Sequence, residues 1–232
     1  MRKVTDDLSC EYFTNLNIGY EKWFNKSFSG YVRKRQLKNF SEFTEGCKRF
    51  IDVGCGTGNF LSIVKCDDKT GVDISPEMIE VCRVKCPEAN LYVAPSNSLP
   101  FSGDSFDCVV MLNVFQYIEK PQETVNELLR IARPGGRIMF TVFNKNSISL
   151  SPIRFFIRKL MGEDLPYVNF YSPVQIINML ERKHCFMKGS GIRPPFESKL
   201  LFEMFWKRVE QYEDLHRVPP WLAVETFVYI KK

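Results

Sequence analysis

The amino-acid sequence predicts an α/β fold in which helices cover both faces of a mostly parallel β-sheet. From Phe50 onward, short apolar runs alternate with amphipathic segments, which is typical of parallel strands joined by helices. Helix punctuation separates these runs: Ser75 precedes Pro76 at one predicted helix start, and a Pro-Gly-Gly sequence at 134–136 ends another helix. The 232 residues are 44% hydrophobic and 25% charged, which suits one large globular domain.

The pattern assigns most of the elements individually. Five strands are predicted before residue 144: Phe50–Val53, Lys69–Val72, Ala89–Val93, Phe106–Leu112 and Arg137–Phe143. Helices are predicted at Ser75–Cys86 and Pro121–Ala132. Later in the chain we predict helices at Pro152–Met161, Pro173–Glu181 and Leu200–Tyr212, and strands at Phe186–Ile192 and Ala223–Ile230. The last strand alternates apolar and polar residues, as an antiparallel strand can.

Two segments depart from the α/β alternation. Residues 1–48 are rich in aromatic side chains and are predicted to form an N-terminal helical cover, whereas residues 49–232 form the main domain. Around 145–172 we expect a lid-like insertion within that domain. One face of the predicted Pro152–Met161 helix is apolar, and packing on the sheet is favoured over contact with lipid.

Several classes of protein are disfavoured by composition. The longest apolar run, 106–115, is too short to span a bilayer, and the first ten residues lack a secretory apolar core, so a cytoplasmic location is expected. The eight cysteines form no C-x-x-C pair, which predicts reduced thiols and no metal site. A net charge of +5 is modest for a nucleic-acid partner, which we do not expect. The basic cluster Arg33, Lys34, Arg35 and Lys38 is interpreted as a solvated helix face.

A glycine-rich turn follows the first predicted strand. Residues 52–58 read DVGCGTG, and glycines let a ligand approach the backbone where a Cβ would collide. A dinucleotide fingerprint requires glycine where this chain has Asn59, which disfavours a nicotinamide-dependent oxidoreductase. Asp73 ends the second predicted strand, where a carboxylate can accept hydrogen bonds from both hydroxyls of a ribose.

With these motifs the chain resembles the class I S-adenosylmethionine-dependent methyltransferases, in the small-molecule branch similar to ubiquinone and menaquinone biosynthesis methyltransferases. The resemblance extends over roughly residues 50–143 and includes LPF at 99–101, SFDCVV at 105–110, the segment 113–121 and RPGGR at 133–137. It implies a Rossmann-like, seven-stranded sheet whose last strand is antiparallel. It also implies S-adenosylmethionine as the cofactor, bound over the ends of the first, second and fourth strands.

The resemblance implies roles for individual residues. The methionine part of the cofactor would be surrounded by Asp52, Gly54, Cys55, Gly56 and Gly58, and its ribose would be held by Asp73. Ile74 and Met78 would pack near the adenine, and Asn113 would contact the cofactor and begin the acceptor pocket. This chain has Pro95 where the family usually has an acid that accepts from the adenine amino group, and Ser96 or Asn97 could supply a neighbouring contact.

The acceptor and the catalytic residues are less defined. In-line methyl displacement needs no covalent intermediate, and it needs a general base only where the acceptor must lose a proton. The family often has histidine near the positions of Gln116 and Tyr117, whereas the two histidines of this chain, His184 and His216, lie outside the matched motifs, so no base is assigned.

Aromatic residues in the cover and around 167–171 favour a small, apolar or aromatic acceptor. A non-catalytic cofactor-binding or interaction protein of this fold remains an alternative. An RNA methyltransferase is a weaker alternative, because residues 113–116 read NVFQ in place of an Asn-Pro-Pro-aromatic motif. The sequence makes no prediction of the oligomeric state.

Overall fold

The computed structural model describes residues 27–147, 168–181, 185–190 and 223–232, together with Phe156 and Leu160. The strands are β1 (Arg49–Val53), β2 (Asp68–Asp73), β3 (Asn90–Val93), β4 (Phe106–Met111), β5 (Ala132–Phe143), β6 (Cys185–Ser190) and β7 (Glu225–Lys231). The α-helices in this part of the chain are α1 (Ser27–Thr44), α2 (Pro76–Lys85), α3 (Pro121–Ile131) and α4 (Pro173–Met179). A short 3₁₀-helix spans Phe115–Tyr117.

The seven strands form one sheet in the order β3-β2-β1-β4-β5-β7-β6. Strands β1 to β5 pair in parallel, while β7 runs antiparallel to both β5 and β6. The strand order reverses between β1 and β4, and such a switch point opens a crevice at the carboxyl ends of the strands. The predicted Rossmann-like fold with antiparallel final strands is therefore confirmed.

Hydrophobic layers cover both faces of the sheet. On one face, α3 packs Val125 and Leu128 against a core that includes Ile51 of β1. On the other face, Phe50 of β1 packs with Phe40 of α1, ring edge to ring face at 5.8 Å between centroids. Because neighbouring residues of a strand point to opposite faces, β1 contributes to both layers. Helix α1 is consequently part of the core that supports the carboxyl ends of β1 and β4.

Local chemistry explains where the helices begin. The Ser75 side chain accepts a hydrogen bond from the Met78 backbone N–H at 3.2 Å, and Pro76 fills the first helical position of α2. Helix α4 starts with a capping box in which Ser172 and Gln175 satisfy each other's backbone N–H groups.

The structure corrects two expectations about the elements. Strand β5 begins at Ala132, five residues before the predicted start, because Ala132 pairs with Phe106 directly after α3 and regular pairing resumes at Arg137 beside Cys108. Phe156 and Leu160 are helical but 61% and 72% exposed, whereas packing on the sheet was expected. The rest of that predicted helix, and all of the predicted helix 200–212, lie outside the described residues. No helix in the described ranges is long and apolar enough to cross a membrane.

Candidate active site

A cleft opens at the switch point between β1 and β4. Its volume is about 1180 Å³ when the part open to solvent is counted. The lining comes from the turn after β1, the end of β2, the start of α2, the segment after β4 and one face of α1. Of the predicted site residues, the following line it: Gly54, Cys55, Gly56, Asp73, Ile74, Met78, Ser96 and Asn113.

The glycine turn wraps over the end of the sheet in a left-handed backbone conformation. Gly54, Gly56 and Gly58 have φ angles of +78°, +52° and +80°, which favour glycine. Val72 anchors the turn, because its carbonyl accepts hydrogen bonds from the backbone N–H groups of Gly54 and Cys55 at 2.7 and 2.9 Å. The turn therefore has one defined conformation rather than that of a loose loop.

The carboxylate of Asp73 is held by backbone donors on both sides. One oxygen accepts from the Gly56 N–H at 2.8 Å and the other from the Ser75 N–H at 3.0 Å. Burial raises the pKa of Asp73, and these backbone hydrogen bonds oppose that rise. A carboxylate has about four acceptor sites, so Asp73 retains acceptor capacity toward the hydroxyls of a diol.

The far side of the cleft suits a flat apolar group. Ile74, Met78 and Ala94 line it together with Ser96. The Ser96 hydroxyl pairs with that of Thr124 at 3.2 Å, while Asn97 donates to Glu123 at 3.0 Å and is not part of the lining. Of the two polar residues that follow Pro95, Ser96 lines the cleft and Asn97 does not.

Asn113 lies directly after β4 in a left-handed conformation, with φ of +61°. Its backbone N–H donates to Thr141 Oγ1 at 2.9 Å, and its side-chain amide pairs both ways with that of Gln36, at 2.7 and 3.2 Å. The Gln36 Nε2 also donates to the carboxylate of Glu225 at 2.8 and 3.0 Å. Burial raises the pKa of Glu225 to about 7, against the hydrogen bonds from Gln36 and Thr141. We call Gln36, Asn113, Thr141 and Glu225 the amide–carboxylate network.

Asp52 and Gly58, also predicted to surround the cofactor, are not among the residues that line the cleft. Asp52 is 2% exposed within β1, and its burial raises its pKa to about 8. A Cβ on Gly58 would lie 2.7 Å from the Sγ of Cys82 and 3.1 Å from that of Cys86, so protein packing already requires glycine there. The predicted contact of these two residues with a ligand stays a prediction.

The described cysteines are all free thiols. Cys55, Cys82 and Cys86 gather beneath the glycine turn, where Cys55 interacts with Cys82 and Cys82 interacts with Cys86. Within the described part of the chain, no group of three His, Cys, Asp or Glu residues is arranged to hold a metal ion.

Sequence reasoning missed the contribution of α1. Arg33 and Leu37 line the cleft, and Arg35 is 8% exposed, whereas Lys34 and Lys38 are exposed. The interpretation of this basic cluster as a solvated face therefore holds for the two lysines alone. The sequence does contain an indication of this contribution. Residues 33, 37 and 40 follow helical spacing, which predicts that they share one buried face of the helix. Tyr117 lines the cleft, whereas the side chain of Gln116 donates to the Asn113 carbonyl at 2.8 Å.

The residues present fit an adenosyl ligand that carries an amino-acid part. Asp73 offers its paired oxygens to a diol, the surface around Met78 is apolar, and Thr57 lines the cleft with a buried hydroxyl that has no partner among the described residues. A buried hydroxyl without a partner is uncommon in proteins and is satisfied when a ligand brings one.

Comparison with known proteins agrees with this site. Residues 51–140 match the methyltransferase domain family. The chain is 26% identical to an uncharacterised protein of Methanocaldococcus jannaschii, over 70% of this chain and 72% of that protein. It is 30% identical to a malonyl-[acyl-carrier protein] O-methyltransferase of Methylococcus capsulatus over 44% of this chain, and 29% identical to a ubiquinone/menaquinone biosynthesis C-methyltransferase of Geotalea daltonii over 41%. The matches cover 39% and 46% of those two enzymes.

Solved structures agree in fold. An S-adenosylmethionine-dependent methyltransferase of Thermotoga maritima, described as a possible histamine N-methyltransferase, superposes with a TM-score of 0.68 at 16% identity, over 96% of this chain and 99% of that one. The [4+2]-cyclase SpnF superposes with a TM-score of 0.58 at 19% identity, over 85% of this chain and 80% of that one. The fold is thus shared by proteins described with different reactions.

Residues 51–140 thus match the methyltransferase domain family, and the fold is the one that S-adenosylmethionine-dependent methyltransferases have. S-adenosylmethionine is the cofactor that these similarities imply.

Proposed function

We propose that this protein transfers a methyl group from S-adenosylmethionine to a small-molecule acceptor bound in the same cleft. The observation that carries the proposal is the position of Asp73, at the end of β2, with both carboxylate oxygens aimed by backbone donors of the glycine turn and of Ser75. The named relatives include a malonyl-[acyl-carrier protein] O-methyltransferase and a ubiquinone/menaquinone biosynthesis C-methyltransferase, and the second of these supports a small-molecule acceptor.

Different parts of the cleft would hold different parts of the cofactor. We propose that Asp73 accepts from the ribose hydroxyls, and that Ile74, Met78 and Ser96 surround the adenine. Gly54, Cys55 and Gly56 would contact the methionine part. Asn113, which follows β4, would then lie where cofactor and acceptor meet, and its fixed side chain would orient them.

The chain's contribution to the reaction is mainly positional. Bound S-adenosylmethionine supplies a methyl group activated by a sulfonium, and the protein must bring a nucleophile in line with it and keep water out. Among the described lining residues there is no histidine to serve as a base. Acceptors that are already ionised, such as carboxylates, would need none, so they are favoured over alcohols.

Calorimetric titration tests the cofactor site directly. Wild-type protein is expected to bind S-adenosylmethionine and its demethylated product S-adenosylhomocysteine. Asp73→Ala is expected to weaken both by at least about 100-fold, because two hydrogen bonds to a charged group, at about 1.5–3 kcal/mol each, are lost. Asp68→Ala, at the exposed opposite end of β2, serves as the matched control and should leave affinity unchanged.

The results separate methyl transfer from the alternatives. Failure of the wild-type protein to bind either compound would overturn the proposal. Binding that Asp73→Ala does not weaken would reject the assigned ribose site. With binding established, transfer of radiolabelled methyl groups to a panel of carboxylates, phenols and amines tests catalysis, and binding without transfer to any of them would favour the non-catalytic alternative.

A further inference from the structure

The amide–carboxylate network closes into a ring of hydrogen bonds that contains Glu225. The Gln36 Nε2 donates to both oxygens of Glu225, at 2.8 and 3.0 Å, and the Thr141 hydroxyl also donates to this carboxylate. Both donors continue to Asn113. Gln36 pairs with its side-chain amide, and Thr141 Oγ1 accepts from its backbone N–H at 2.9 Å. Glu225 therefore reaches Asn113 by two routes, one through the side chain and one through the backbone.

The ionised carboxylate of Glu225 sets the direction of the hydrogen bonds in this ring. A carboxylate only accepts, so Gln36 and Thr141 must each turn a donor toward it. With the Gln36 amide fixed in this way, its Oε1 accepts from the Asn113 Nδ2 at 3.2 Å. The Thr141 oxygen, whose hydrogen points to Glu225, is then free to accept from the Asn113 backbone. The ring thus has one arrangement of donors and acceptors.

The fold alone does not explain this network. Gln36, Thr141 and Glu225 are 1%, 1% and 2% exposed, and burial raises the pKa of Glu225 although the two donors oppose that rise. Replacement of a buried charged network by well-packed apolar residues is often neutral or even stabilising. The member of the network that lines the cleft is Asn113, so the effect of the other three residues on the site is exerted there.

The backbone of Asn113 determines the course of one wall of the cleft. Its φ of +61° lies in the left-handed region, which few residues other than glycine adopt and which asparagine tolerates best. The chain direction at Asn113 places Val114 so close to the glycine turn that a Cβ on Gly54 would overlap its methyl groups. It also leads to Tyr117 and Ile118, which line the cleft. Residues 113–118 therefore form a wall that packs against the glycine turn.

We propose that Glu225, Gln36 and Thr141 are positioning residues of the active site, which act on its ligands through Asn113. Glu225 directs the two donors, and these hold the side chain and the backbone of Asn113, and with them the wall 113–118, against the glycine turn. This inference rests on the proposed function, because it assumes that S-adenosylmethionine binds in the cleft that the wall and the turn line.

Nearly isosteric substitutions test the two routes. Thr141→Val keeps the shape of the side chain but removes the hydroxyl, and Glu225→Gln replaces one acceptor oxygen by a donor, so that one of the two routes loses its acceptor. Thr141→Ser keeps the hydroxyl and should restore wild-type behaviour. Thr226→Val is the matched control, because Thr226 is 2% exposed in β7 and its hydroxyl has no partner among the described residues.

The first readout is the NMR signal of the Asn113 side-chain amide in protein labelled with ¹⁵N-asparagine, identified by its absence from Asn113→Asp. At pH 8, above the pKa of about 7 of Glu225, we expect two well-separated proton resonances in the wild type, because one proton is bonded to Gln36. Thr141→Val and Glu225→Gln should move both resonances toward the values of an exposed amide, whereas Thr141→Ser and Thr226→Val should not. A signal that neither Thr141→Val nor Glu225→Gln changes would overturn the inference.

The second readout is calorimetric titration with S-adenosylhomocysteine. Thr141→Val and Glu225→Gln are expected to weaken binding by about tenfold, the loss of about one hydrogen bond, while Thr141→Ser and Thr226→Val stay within about twofold of the wild type. Thermal unfolding verifies that each variant is folded at the temperature of the titration.

The outcomes separate positioning from a purely structural role. Variants that are less stable but bind S-adenosylhomocysteine as tightly as the wild type would show that the network only supports the fold, which would overturn the inference. An effect of Thr141→Val without one of Glu225→Gln would remove Glu225 from the positioning residues. Failure of the wild-type protein to bind S-adenosylhomocysteine would instead overturn the proposed function, and the amide signal would still decide whether the ring holds Asn113.

Discussion

At the scale of single residues, glycines of the same backbone conformation serve different purposes. Gly46, Gly56 and Gly58 all have positive φ. A Cβ on Gly46 or Gly56 would meet nothing within 4 Å, whereas one on Gly58 would meet buried thiols. Gly54 is more restricted still, because its Cβ would overlap a methyl group of Val114. The turn is therefore glycine-rich partly because the protein packs closely against it, and partly because the cleft must stay open at Gly56.

We expect Gly58→Ala to destabilise the protein by about 2–5 kcal/mol. The left-handed conformation costs an alanine about 1–2 kcal/mol, and crowding of Cys82 and Cys86 adds an overpacking cost of about 1–3 kcal/mol. Gly46→Ala is the control, because it has similar φ and open space, and it should cost about 1–2 kcal/mol. Urea unfolding measures both.

A third variant isolates the packing contribution. Adding Cys82→Ala to Gly58→Ala removes the nearest sulfur and should recover part of the loss. Equal destabilisation by Gly58→Ala and Gly46→Ala would show that backbone strain alone requires the glycine at position 58.

Chemical motif and local geometry are predictable from sequence to different extents. The Gly-rich turn and Asp73 were identifiable because spacing alone brings them to the same edge of a parallel sheet. Spacing does not indicate which residues of the turn line the cleft, and Asp52 and Gly58 are not among those that do. Their surroundings depend on cysteines of α2, which pack there only in the folded chain.

At the scale of elements, α1 joins the N-terminal region to the active-site edge of the sheet. Its Gln36 has 1% exposure and links Asn113, after β4, to Glu225, at the start of β7. The sequence predicted a helical cover, but it did not indicate that one of its polar residues enters the core. A buried glutamine is recognisable only once its partners are known, since an isolated amide would be costly to bury.

Gln36→Leu is expected to cost about 2–3 kcal/mol and to weaken binding of S-adenosylhomocysteine. The substitution removes the donor that faces a buried carboxylate and the amide partner of Asn113, and leaving such a group unsatisfied costs about 1–3 kcal/mol or more. Gln122→Leu is the control, because Gln122 is exposed and its bonds are peripheral, and it should change stability by less than about 0.5 kcal/mol. Urea unfolding and calorimetry give the two readouts.

The coupling energy between Gln36 and Glu225 can be measured in a double-mutant cycle. Combining Gln36→Leu with Glu225→Leu removes both polar groups, so the double variant should lose less stability than the sum of the single variants. Strict additivity would mean that the amide–carboxylate network contributes no coupling energy.

At the scale of the whole molecule, the architecture was the most predictable feature. Alternating apolar runs and helix punctuation define a doubly covered parallel sheet, because few other arrangements bury both faces of such strands. The early start of β5 was missed, since Pro and Gly usually end extended structure, yet here Gly135 takes φ of +75° and its N–H bonds to the Lys232 carbonyl. Lys232 thus stabilises the irregular stretch around Gly135, whose conformation does not follow from the residues of that stretch alone.

The pH dependence of stability should reflect three buried carboxyl groups, those of Asp52, Asp73 and Glu225, because burial raises the pKa of each. Burial raises the pKa of Asp52 to about 8 and that of Glu225 to about 7, from ordinary values of 3.8 and 4.5. At a pH between the ordinary and the raised pKa values, these groups keep their protons in the folded protein but have lost them in the unfolded chain. Because the unfolded state then binds fewer protons, the free energy of unfolding falls as the pH rises. Each group contributes a decrease of up to about 1.4 kcal/mol per pH unit.

Urea unfolding at pH 5.0, 5.5, 6.0 and 6.5 measures this slope. The range stays above the acidic titration of the surface carboxylates and below pH 7, to which hydrogen bonding from Cys108 lowers the pKa of Cys47. Asp52→Asn and Glu225→Gln should each flatten the decline, because an amide does not titrate, whereas Glu80→Gln on the exposed face of α2 should leave the slope unchanged. A slope in Asp52→Asn and in Glu225→Gln that equals the wild-type slope would show that neither carboxyl group keeps its proton in the folded protein over this range, and hence that the interior beside the cleft stabilises their charges instead of excluding them.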